Sequence, residues 1–109
     1  MTTVRIFTNE YGIYKAEIEG HSGYADAGDD IVCAAVTSAV RLLEVTLNDV
    51  LSLSVPAAAD SESVFISLGP ADASNEYVRS LFQGFSVLMS AYAAEYPENI
   101  IVMEEKRHA

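Results

Sequence analysis

Two stretches of this chain place apolar side chains at helical spacing, and neither can fold without a surface to cover them. Val32, Val36, Ala39, Leu43, Leu47 and Val50 recur at intervals of three or four, and Val78, Leu81, Phe82, Phe85, Leu88, Met89, Tyr92 and Tyr96 form a broader stripe. The first predicts a helix from about residue 30 to Leu51, with Asp29 or its neighbour as N-cap. The second predicts a helix capped by Asp72 or Ser74 that ends near residue 95, ahead of Pro97. Period-two segments supply the covering surface. Val4 and Ile6 alternate with Arg5 and Phe7, and Tyr14, Ala16 and Ile18 alternate with Lys15, Glu17 and Glu19. Asn9-Glu10-Tyr11-Gly12 between them reads as a turn, which makes the pair a hairpin. Val64 to Leu68, stopped by Gly69-Pro70, and Ile100 to Glu104 read as two further strands.

The order β-β-α-β-α-β, with two long helices laid on one face of a four-stranded sheet, predicts a two-layer α+β sandwich. At 109 residues the chain is one domain, 1–109, and its 50% hydrophobic content excludes disorder as the default. Ser52 to Ser63 reads as a connection, and the tail from Lys106 to Ala109 is expected to fray. Ile31 to Val40 is apolar or small nearly all round and is expected to be buried on most sides. The stripe on the second helix is wider than a small sheet covers, which leaves room for a homodimer interface.

A net charge of −10, from 16 acidic and 6 basic residues, argues against direct nucleic-acid binding, because phosphate contacts need Lys or Arg. The same field favours basic partners. No charged-then-apolar leader opens the chain and no uninterrupted apolar run reaches ~18 residues, so the expectation is a cytoplasmic protein that does not enter a membrane. One cysteine cannot make an internal disulfide, and Cys33 is expected to be a reduced thiol.

Chemistry concentrates between Gly20 and Ser38. A histidine, His21, closes the second strand; a polar loop with Gly23 and Gly28 follows; Asp29 and Asp30 open the helix; Cys33 sits in its first turn. A thiolate attacks carbonyls far better than a thiol. A protonated imidazole ~4 Å away would favour it by roughly 4 kcal/mol at an effective dielectric of 20, and a helix N-terminus by at most about 1–2 kcal/mol. Asp29 and Asp30 oppose it, so His21 must dominate. One His, one Cys and neighbouring aspartates make a poor zinc site, and no metal or other cofactor is expected.

Gly20-His21-Ser22-Gly23-Tyr24-Ala25, then Gly28, then Asp30-Ile31-Val32-Cys33-Ala34-Ala35-Val36 resembles the signature of the ribosomal-processing cysteine protease family, Prp. The order of elements and the length are similar over essentially the whole chain. The resemblance implies an endopeptidase that removes the N-terminal extension of a large-subunit ribosomal protein precursor during ribosome assembly, with His21 and Cys33 catalytic. It also implies a homodimer and a mobile loop over the site, with Ser22, Gly23 and Gly28 in that loop. Thr37 stands where serine is expected in many relatives; its hydroxyl keeps a supporting role open.

In this reading His21 takes the Cys33 proton, the thiolate attacks the scissile carbonyl, and His21 protonates the leaving amine. Amides at the helix start, that of Cys33 among them, are candidate oxyanion donors. Asp30 either orients His21 or caps the helix. The competing class is a non-enzymatic acidic adaptor that holds a basic ribosomal protein; it accounts for the charge but not for His21 and Cys33 together.

Overall fold

A two-residue turn sets the register of the sheet. In this computed structural model, which describes residues 1–20, 30–59 and 63–106, β1 (Thr2–Asn9) and β2 (Gly12–Glu19) pair antiparallel with Asn9 opposite Gly12. Asn9 Oδ1 accepts the Tyr11 amide at 2.8 Å, and Gly12 takes φ +117°, a conformation that residues with a side chain rarely adopt. Two strand residues later the register slips: Phe7 faces Lys15 but Thr8 faces Ile13, leaving Tyr14 as the extra residue of a bulge. The Tyr14 carbonyl accepts the Leu68 amide at 2.7 Å and so ties the bulge to the end of the neighbouring strand.

The remaining strands are β3 (Ala57–Ala59), β4 (Ser63–Ser67) and β5 (Ile100–Lys106), and the sheet order is β3-β4-β2-β1-β5. β5 runs parallel to β1, and the other pairs are antiparallel. All four strands expected from the sequence are present, and the two-layer arrangement with its β-β-α-β-α-β order holds. The sheet carries one strand more. Ala57–Ala59 falls in the segment expected to be a connection; three alanines show no alternation, and they become strand because β4 offers an open edge, with Ala57 opposite Ile66 and Ala59 opposite Val64.

Helix α1 (Ile31–Val45) runs into a π-helical turn, Thr46–Val50, and after the short α2 (Pro70–Ala73) comes α3 (Glu76–Glu95). The π turn corrects the expected stripe. Its wider ring, closed by the Leu51 amide on the Thr46 carbonyl at 2.9 Å, keeps Leu47 buried but rotates Val50 out to solvent. Asn48 then anchors the exit, accepting the Val55 amide at 2.8 Å and donating to its carbonyl at 3.2 Å. The cap of α3 is Asn75 and not Asp72 or Ser74. Pro70 starts a separate turn, closed by the Ala73 amide on the Gly69 carbonyl at 2.9 Å, and the chain re-extends at Asn75 before α3 begins.

The core lies between the layers. Val4, Ile6, Ala16, Ile18, Ile66 and Ile100 face Val32, Val36, Val40, Leu43 and Leu47 of the first helix and Val78, Phe82, Phe85 and Met89 of α3. Each full-sized side chain so buried contributes about 1.5–3 kcal/mol. Phe7 is buried too, but on the other face of the sheet, where the Lys15 ammonium lies 5.1 Å from its ring centroid and Tyr14 packs beside it. The expected burial of the first half of α1 on most sides does not occur. Ile31 is 56% exposed, and Ala34, Thr37 and Ser38 are exposed as well, because the sheet covers only the Val32-Val36-Val40 side. Ile31–Val50 has a mean hydropathy of 1.5 and is long and apolar enough to cross a membrane by length and composition, despite Arg41, Glu44 and Asp49. Val32, Val36, Val40, Leu43 and Leu47 of this stretch close the core against the sheet, whereas Leu42, Val45 and Val50 are exposed.

Between α1 and α3 an apolar groove of about 360 Å³ remains, with Leu43 and Phe85 buried beneath it and Leu42 and Leu88 exposed along it.

Candidate active site at the start of the first helix

The site is approached from β2 through a residue that must be glycine. Gly20 takes φ +82°, and a Cβ there would lie 2.6 Å from the Met1 carbonyl oxygen. The chain thus turns against its own N-terminus as it leaves the sheet. Residues 21–29 lie outside the described residues, and with them His21, Ser22, Gly23 and Gly28.

The chain is described again at Asp30, which holds an extended conformation (φ −80°, ψ 94°) and caps α1. One carboxylate oxygen, Oδ1, accepts the amides of both Val32, at 3.1 Å, and Cys33, at 2.9 Å. The Asp30 carbonyl accepts the Ala34 amide at 3.0 Å. The first turn is therefore closed by a single residue, and that residue is only 6% exposed. Extended backbone at the cap and two shared amides are the usual geometry of an aspartate N-cap.

Cys33 occupies the third position of the helix, half-buried and outside any disulfide. Helical side chains lean toward the N-terminus, so the sulfur is carried toward the open end of the turn and not down the helix. The arrangement suits a nucleophile: a fixed backbone, a residue that is only half-buried and the positive end of the helix macrodipole. Thr37 lies one turn further along the same face and is exposed. The structure brings Asp30 and Cys33 together directly. Sequence reasoning weighed Asp30 as a helix opener or a partner of His21 and missed its grip on the Cys33 amide. The signal was an aspartate three residues ahead of the cysteine, the spacing from a cap to the third helical position.

Elsewhere the described surface is acidic in its pairing as well as its count. Arg5 donates to Glu19 at 3.0 Å and lies 4.0 Å from Glu17 and 3.9 Å from Glu105; the Glu19 hydrogen bond first, and these carboxylates generally, raise the Arg5 pKa. Lys15 lies 3.6 Å from Glu17. Both basic side chains of the hairpin are engaged by carboxylates.

The family profile described as cysteine protease Prp matches residues 1–101, a span that takes in Asp30, Cys33 and both long helices. No curated protein sequence matches the chain. Among solved structures, a protein from Streptococcus mutans is 25% identical, with a TM-score of 0.86 over 98% of this chain and 96% of that one. The essential ribosomal processing protease Prp from S. aureus, in complex with a substrate peptide, is 22% identical with a TM-score of 0.83 over 96% of this chain and all of that one. The same protease with a covalently linked product peptide is 23% identical, with a TM-score of 0.82. The profile match over nearly the full length decides the matter: this chain belongs to the Prp family of cysteine proteases.

Proposed function

We propose that this protein is a ribosomal-processing endopeptidase that removes the N-terminal extension of a large-subunit ribosomal protein precursor by Cys-His catalysis. The observation that carries the reading is the seat of Cys33, the chain's one cysteine, in the first turn of a capped helix within the region matched by the cysteine protease family. A similar fold in S. aureus holds a substrate peptide and, in a second structure, a covalently linked product peptide, which supports peptide chemistry at a thiol. In this mechanism His21 accepts the Cys33 proton; the sulfur attacks the scissile carbonyl; the C–N bond breaks as His21 returns the proton to the amine; and water hydrolyses the thioester. The segment from Ser22 to Gly28 covers the peptide during the reaction, and Thr37 supports the site from the next turn.

The acidic surface fits a basic ribosomal substrate drawn from a reducing cytoplasm, where the thiol stays reduced. The enzyme works as a homodimer. α1 carries no charged residue from Ile31 to Val40 and α3 none from Ser80 to Ala94, so much of the described helix layer is uncharged in a chain of net charge −10. In this reading a second copy seats its exposed Leu42 and Leu88 in the groove, where Gly84 leaves open space. Leu42→Glu is expected to shift the protein to monomer in sedimentation.

The deciding experiment incubates the purified enzyme with an extended ribosomal protein precursor and reads the product by mass, alongside Cys33→Ala and His21→Ala. Cleavage by the wild type alone supports the reading. Equal cleavage by all three sinks it, and binding without cleavage favours the acidic adaptor.

A further inference from the structure

The amides at the start of α1 are already engaged. Asp30 Oδ1 takes those of Val32 and Cys33, and the Asp30 carbonyl takes that of Ala34. We propose that Asp30 is a positioning residue that keeps hold of the Cys33 amide throughout the reaction, so that the oxyanion is stabilised by donors outside this first turn and not by the Cys33 amide. The proposal rests on the cysteine-peptidase reading above.

An amide has one proton to give. An oxyanion served by the Cys33 amide would have to lie about 2.7–3.1 Å from its nitrogen, where Asp30 Oδ1 now lies at 2.9 Å. Sharing the donor would set a developing negative charge beside a carboxylate, which repels it. Nor is the carboxylate easily displaced by water, since Asp30 is almost fully buried. What the grip supplies is geometry. Fixing the nitrogen of Cys33 fixes the direction of its Cα–Cβ bond, and therefore the line along which the sulfur meets a carbonyl carbon; misplacement of reacting atoms by an ångström is costly.

Three variants separate this role from its rivals. Asp30→Asn keeps a side-chain oxygen for both amides. Asp30→Gly removes it while remaining an acceptable N-cap, and Asp30→Ser, with a shorter acceptor, stands in if the glycine variant does not fold. The readouts are kcat and KM on the precursor and hydrogen exchange at the Cys33 amide. The asparagine variant is expected to keep kcat within about threefold and exchange slowly, as a retained acceptor implies. The glycine variant is expected to lose roughly tenfold or more in kcat at little-changed KM and to exchange faster at Cys33; the serine variant falls between.

Wild-type or higher kcat in the glycine variant would overturn the proposal, because the freed amide would then be neutral or helpful. So would a loss of about a hundredfold in the asparagine variant, which would assign the work to charge. Equal exchange at Cys33 in wild type and glycine variant would show that no grip exists. If the wild type cuts no precursor, the peptidase reading falls instead, and exchange at Cys33 still reports on the grip.

Discussion

The two long helices begin with the same device and different chemistry. At α3, Asn75 Oδ1 accepts the amides of Tyr77, at 2.9 Å, and Val78, at 3.3 Å; at α1, Asp30 Oδ1 accepts those of Val32 and Cys33 at 3.1 and 2.9 Å. The third helical position is Val78 in one and Cys33 in the other. Asparagine and aspartate cap about equally well, so helix formation does not require the carboxylate at α1. It is the surroundings that differ: Asn75 is half-buried, and Asp30 is buried against the turn that holds the thiol. A carboxylate beside a thiolate opposes it. In the proposed mechanism that opposition is met by His21, the positive partner assigned to Cys33.

The largest expected effect comes from truncating the third position in each helix. Cys33→Ala removes the nucleophile and is expected to lower precursor cleavage at least about a thousandfold while leaving the melting transition nearly in place. Val78→Ala opens a cavity at a fully buried site and is expected to cost about 2 kcal/mol of stability, with cleavage retained below the transition. Chemical denaturation and the mass-resolved cleavage assay check the pair. If Val78→Ala also silenced cleavage in the folded protein, the division between a chemical and a structural helix start would not stand.

Next in size is the effect of charge on the thiol. Asp30→Asn removes a negative neighbour and is expected to speed iodoacetamide alkylation of Cys33 at neutral pH by about two- to fivefold. Slower alkylation would mean that the carboxylate supports the thiolate indirectly, through His21, and would reverse the lesson drawn from the two caps.

How far the sequence foretold these arrangements depends on what each residue pattern can encode. The hairpin was legible because Val4, Ile6, Ala16 and Ile18 alternate with polar neighbours and Gly12 marks the turn. The stripe of α3 was legible because Val78, Phe82, Phe85 and Met89 are large and regularly spaced. Ala57–Ala59 was not, because alanines acquire strand structure only from the edge they meet. Asp72, Ser74 and Asn75 are all competent caps, and only the separate turn at Pro70 chose among them. The π turn shifts the helical phase by one residue, which a spacing of threes and fours absorbs unseen. In the same way, Ala34, Thr37 and Ser38 do not reveal which face of α1 the sheet leaves open. At the site, Cys33 was legible as a rare reactive type and Asp30 as a cap, but the route of the Cys33 amide is a matter of backbone direction. Residue type alone does not carry it.

The smallest effect sharpens the comparison most. Asn75→Gly is expected to cost only a few tenths of a kcal/mol, because glycine tolerates the cap conformation and water replaces Oδ1 at the exposed Tyr77 amide. Thermal unfolding should therefore move little, and kcat on the precursor should match the wild type. Asp30→Gly makes the same chemical change at the other helix, where the freed amides are shielded from water and one of them belongs to the nucleophile. The Asp30 variant should thus lose about 1–3 kcal/mol more stability than the Asn75 variant and, assayed well below its melting transition, should differ from it clearly in kcat. A kcat loss shared equally by both would reduce Asp30 to an ordinary cap.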